Sequence, residues 1–79
     1  MTVPSQRPDP KIGHIVSIGG GVVDVRFEEG LPPIHARLVS LDDTEISFEV
    51  AALPGPGLAR CLVLNPGPAL ALGLGVRDT

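Results

Sequence analysis

Tryptophan and tyrosine are absent from this chain of 79 residues, phenylalanine occurs twice, and cysteine and methionine occur once each. So few aromatic faces leave almost no platform on which single-stranded nucleic acid could stack. Lysine occurs once, at Lys11, and the formal net charge is −3. A phosphate backbone therefore finds no cationic footprint, and nucleic acid is excluded as a partner class. A lone cysteine, Cys61, permits no disulfide within the chain and fits a reducing compartment. No apolar run approaches the roughly 20 residues that span a bilayer, so no direct membrane insertion is expected. The first ten residues, Met1 to Pro10, hold three prolines and no hydrophobic stretch. They read as a flexible tail of a cytosolic chain, not as a secretory signal or transit peptide.

The chain is nonetheless 43% hydrophobic and only 19% charged, with a mean hydropathy of +0.31. Ten glycines and nine prolines, about a quarter of the residues, separate short runs of Val, Ile and Leu. Lys11 to Ile18 and Val22 to Phe27 are rich in β-branched residues and flank Gly19-Gly20-Gly21, which reads as a hairpin or sharply bent ribbon. Pro32-Pro33 marks a connection, since two prolines supply no ladder donors. Ala36 to Leu41 is a third strand. Glu45 to Val50 is a fourth, with Ile46, Phe48 and Val50 on one face and Glu45, Ser47 and Glu49 on the other. Pro54 to Gly57 forms a turn before a fifth strand, Leu58 to Leu64. Gly73 and Gly75 leave the state of Ala69 to Val76 undefined by pattern. Strands at roughly ten-residue spacing, without a helix to cover them, close on themselves or form a sandwich. A chain this short favours a barrel, so the expected fold is all-β: a small closed or partly open barrel of five to six strands.

Chemistry-bearing constellations are sparse. The glycine triplet leads into a strand instead of a helix and lacks a following Lys-Ser or Lys-Thr, so it reads as a tight turn and not a phosphate cradle. His14, His35 and Cys61 have no zinc spacing. The two histidines read as rim groups and Cys61 as a small core residue. Asp24, between two valines, reads as a structural or interface group. No constellation carries a reaction, and a free-standing barrel acting as a protein-binding module satisfies these observations.

The order of motifs adds a family resemblance. Gly13-His14-Ile15-Val16-Ser17-Ile18, then Gly20 and Val22-Val23-Asp24-Val25-Arg26-Phe27, resembles the opening of the rotary ATP synthase beta subunit. Glu29-Gly30-Leu31-Pro32-Pro33-Ile34, Phe48-Glu49-Val50 and Leu58 to Leu64 are similar to its following loop and strands, and Leu70, Gly73 and Val76-Arg77-Asp78 echo its next motif. The chain departs from the family at Gly19, where a bulky aliphatic residue is usual, at Leu72, where an arginine is usual, and at Pro54 and Pro56, so a divergent bacterial copy is implied.

The resemblance implies that residues 11–79 form the N-terminal barrel, or crown, domain of a beta subunit. In the family, alpha and beta barrels alternate in a hexameric ring, and the parent makes or hydrolyses ATP coupled to proton or sodium transport. That parent binds ATP or ADP with Mg²⁺ downstream of the barrel, and it sits as a peripheral complex on the inner face of the bacterial membrane. The resemblance therefore implies a non-catalytic scaffold domain with no cofactor of its own. Charged positions in and beside the connections, namely Arg26, Glu28, Glu29, His35, Asp42, Asp43 and Glu45, are the candidate subunit contacts. The family's sixth strand comes after the segment matched by Val76-Arg77-Asp78, so an open or partly closed five-stranded barrel is expected here, the alternative being that Ala69 to Val76 folds back as a substitute strand weakened by Gly73 and Gly75. The unpaired edges of the open barrel would pair edge to edge with another copy.

Overall fold

The computed structural model describes residues 11–43, 45–65 and 70–79. The tail expected at residues 1–10 lies outside the described residues. Six strands follow one another: β1 (Ile12–Gly19), β2 (Val22–Phe27), β3 (Arg37–Ser40), β4 (Ser47–Gly55), β5 (Leu58–Asn65) and β6 (Gly75–Asp78). All pairings are antiparallel, and the sheet closes in the order β1-β2-β5-β4-β3-β6. β1, β3 and β5 therefore run from one end of the barrel, the entry end, to the other, the hairpin end, and β2, β4 and β6 return.

Period-two alternation builds the core. Val23, Val25 and Phe27 of β2 point inward, as do Phe48 and Val50 of β4, and Ala59 and Cys61 of β5. Ile15, Leu38 and Val76 from the other strands, with Ile46 just before β4, complete one continuous cluster. Phe48 is its largest fully buried side chain. In β1 the register shifts between Ile15 and Ser17, so Val16 is the extra residue of a bulge and its side chain stays exposed. Gly20 and Gly21 have φ of 53° and 85° and join Gly19 to its partner Val22. Positive φ at both central residues matches the right-handed twist of the strands that they join.

Two expectations from the sequence are corrected. Pro54 lies inside β4 instead of in a turn. The β4–β5 register shifts on both sides of Ala52, and proline is tolerated in a strand where the ladder is irregular. The closed six-stranded form of the expected all-β barrel is the one found, and the open or partly closed five-stranded form is overturned, because β6 lies between β1 and β3 and closes the sheet. Gly73, at φ 84°, belongs to the approach to β6 and not to the strand. Gly75 lies within the strand and gives Leu41 room, since a Cβ there would stand 2.7 Å from Leu41 Cδ1. The closed sheet removes the free strand edges on which edge-to-edge pairing depended.

Gly13 is the tightest backbone approach in β1. A Cβ at that position would lie 2.6 Å from Val25 Cγ1, 2.9 Å from the Arg26 carbonyl and 2.9 Å from Phe27 Cε2. The Gly13→Ala chain is expected to lose about 1–3 kcal/mol by overpacking. Gly19 faces open space, and Gly19→Ala is expected to be neutral or stabilising by up to about 1 kcal/mol. Urea denaturation of the two variants checks the contrast, and equal effects would contradict this packing.

Candidate interaction surface

The outer face of β2 and β5 carries one built polar feature. Asp24 and Arg60 stand directly opposite each other in the ladder, 36 residues apart in sequence. Arg60 Nε donates to Asp24 Oδ1 at 3.0 Å and Nη2 donates to Oδ2 at 3.4 Å, a two-pronged contact that fixes both planes. The hydrogen bond to Asp24, and then its charge, hold the Arg60 guanidinium above its ordinary pKa. Asp24 is the less exposed partner, at 18% against 49% for Arg60. The sequence reading of Asp24 as structural or interfacial did not find its partner. Alternation held the signal, since Arg60 sits between the inward Ala59 and Cys61 as Asp24 sits between Val23 and Val25.

The contact candidates divide between the two ends. Arg26 lies near the finish of β2, and Glu28 and Glu29 follow in the exposed bend. His35 precedes β3, so these four gather at the entry end. Asp42, Asp43 and Glu45 occupy the β3–β4 connection at the hairpin end. There the buried Ser40 Oγ accepts hydrogen bonds from the Asp42 and Asp43 backbone N–H groups at 3.1 and 3.2 Å. Asp43 Oδ1 accepts from the Glu45 N–H at 3.0 Å, which tightens the turn further.

His35 is the one positive-φ residue other than glycine among the described residues, at 78°. A turn bond from the Ala36 N–H to the Pro33 carbonyl, at 3.1 Å, encloses it. Its own N–H donates to the Val50 carbonyl at 2.7 Å, and its Nδ1 meets Glu49 Oε2 at 3.1 Å. The left-handed conformation costs about 1–2 kcal/mol and is held in place by these bonds. The turn leaves Ile34 exposed.

His14 is also exposed, and Cys61 is fully buried. The chain brings neither histidine to Cys61, and among the described residues no group of three His, Cys, Asp or Glu side chains could hold a metal ion. What these features define is a small closed antiparallel barrel with a paired-charge outer wall and two differently charged ends.

Sequence comparison places that barrel. The chain is 47% identical over 74 residues to ATP synthase subunit beta 1 of Dinoroseobacter shibae, a match covering 90% of the chain and 15% of that subunit. It is 42% identical over 76 residues to ATP synthase subunit beta 1 of Psychromonas ingrahamii, covering 96% of the chain and 16% of the subunit. It is 43% identical over 74 residues to ATP synthase subunit beta 2 of Polaromonas naphthalenivorans, covering 94% and 15%. No family model matches the chain. Over the span it provides, the chain belongs to the ATP synthase beta-subunit family, in the N-terminal barrel domain. It spans about 15% of the length of the curated relatives it matches. No helix among the described residues is long and apolar enough to cross a membrane.

Burial, and secondarily the Asp24 charge, push the Cys61 thiol up from 9.0 to about 11. The folded chain thus keeps this proton at pH values where the unfolded chain has lost it. Stability from this group is full below pH 9.0 and is lost as pH rises through about 11. Cys61→Ala is expected to flatten that alkaline limb. At pH 8 the native thiol should resist alkylation while the urea-unfolded chain reacts, and rapid native alkylation would refute the buried placement.

Proposed function

We propose that this barrel is a non-catalytic scaffold that holds a catalytic beta subunit in an alternating ring with ATP synthase alpha subunits. The observation that carries the reading is the match of about 90% of the chain to the N-terminal domain of beta subunits, combined with a closed barrel. A closed sheet with a thin but continuous core suits a rigid spacer, because its backbone groups are paired internally and its outer wall remains for contacts.

A ring member needs two contact surfaces, one for each neighbour. Arg26, Glu28, Glu29 and His35 at the entry end are the proposed contacts on one side. Asp42, Asp43 and Glu45 at the hairpin end are those on the other. The parent in this reading makes or hydrolyses ATP, with nucleotide and Mg²⁺ held beyond the barrel and proton or sodium movement coupled to the reaction. It works as a peripheral complex at the inner face of the bacterial membrane.

Mixing the chain with the alpha subunit of the same organism and following amide chemical shifts tests the scaffold role. Saturable shifts at residues of both ends are expected, with no response to Mg-ATP in the absence of alpha. An alpha titration that leaves every amide unmoved, or saturable binding of ATP near micromolar concentration, would count against the reading.

A further inference from the structure

Aliphatic exposure is concentrated at one end of the barrel. Among the described residues nine large hydrophobic side chains are exposed, and six of them, Val16, Ile18, Leu41, Leu62, Leu64 and Leu72, lie toward the hairpin end. Two of them, Leu62 and Leu64, lie close together on β5. Leu62 stands opposite the half-buried Val22 across the β2–β5 ladder and opposite Glu49 across the β4–β5 ladder. Leu64, also exposed, follows two residues along β5 as the extra residue where the β4–β5 register shifts. Asn65 Nδ2 then donates to the Glu45 carbonyl at 2.6 Å, which joins this strip directly to the acidic β3–β4 connection.

Charge is distributed with equal asymmetry. Residues 16–23, 41–46 and 61–75 contain no Lys, Arg or His, and their only charges are Asp42, Asp43 and Glu45. The described cations Lys11, Arg26, Arg37 and Arg77 belong to the entry half, and Arg60 is neutralised by Asp24. Contiguous exposed apolar surface marks a contact site, and an uncompensated negative rim selects the sign of what binds it. An anionic membrane is disfavoured by that same rim.

We infer that the hairpin end docks a cationic aliphatic peptide segment, in which Lys or Arg residues meet Asp42, Asp43 and Glu45 while neighbouring Leu, Ile or Val residues cover Val22, Leu62 and Leu64.

Fluorescence anisotropy with labelled synthetic peptides of about twelve residues tests it, since an extended segment of that length spans one strand with its flanks. The probe alternates Lys and Leu, and the controls alternate Glu with Leu and Lys with Ser. Saturable, salt-sensitive binding of the Lys-Leu peptide is expected, with each control weaker by about tenfold or more. Leu62→Ser with Leu64→Ser should weaken binding by about tenfold. Asp42→Asn with Glu45→Gln should weaken it by about threefold or more, whereas Glu28→Gln with Glu29→Gln at the entry end should leave it within about twofold. All these positions are exposed or on the outer face, and melting curves establish that each variant is folded. The inference is overturned by absent binding, by equal affinity for the Glu-Leu peptide, by equal losses from the two acid pairs, or by preferential binding to vesicles containing phosphatidylglycerol.

Discussion

Closure of the sheet by β6 is the constraint on which the rest of this structure depends. β6 is only four residues long, yet it pairs with β1 through Ile12, Gly13 and His14 and with β3 through Leu38, Val39 and Ser40. Its flanks extend the seam: the Ile15 N–H donates to the Leu74 carbonyl at 3.0 Å, and the Leu41 N–H donates to the Gly75 carbonyl at 2.9 Å. Val76 then enters the core with no exposed surface. Without this seam, two strands would present unpaired backbone to solvent and the apolar cluster would lose one wall. A core of this size tolerates little of that, because short chains bury a smaller fraction of their surface.

Once closed, the barrel converts sequence position into surface position. Asp24 and Arg60 meet because the β2–β5 register sets them opposite, and the contact then fixes the outer wall between the two ends. The same closure separates Arg26, Glu28, Glu29 and His35 from Asp42, Asp43 and Glu45, although all seven are ionisable residues in or beside connections. The domain therefore offers two dissimilar ends. The strained His35 turn is held by backbone bonds and the Ser40-capped turn by the Asp42 and Asp43 N–H groups donating to the Ser40 hydroxyl, so the charges that they present start from fixed positions.

The strong local patterns were legible in the sequence. Val22 to Phe27 is a strand with the bounds that its valines suggest, and Ile46, Phe48 and Val50 all point inward as their alternation requires. β4 runs past Pro54 because a bulge accommodates the ring, and a bulge depends on the partner strand's register, which composition does not encode. β6 was obscured by its glycines. Gly75 reads locally as a strand breaker, but its missing side chain is what admits Leu41, a contact that exists only after β3 and β6 are brought together. Candidate contacts chosen for their place in connections gave the chemical type without the arrangement. Their division between two ends, and the aliphatic strip beside one of them, follow from topology.

Native-state amide hydrogen exchange at the seam tests the closed barrel most directly. The Ile15, Leu41 and Asp78 amides, which donate to Leu74, Gly75 and Lys11, should be protected to within about tenfold of the Phe27 and Val63 amides, which bond across other parts of the barrel. Seam amides that exchange at unfolded-chain rates while Phe27 and Val63 remain protected would show an open five-stranded sheet and contradict this account.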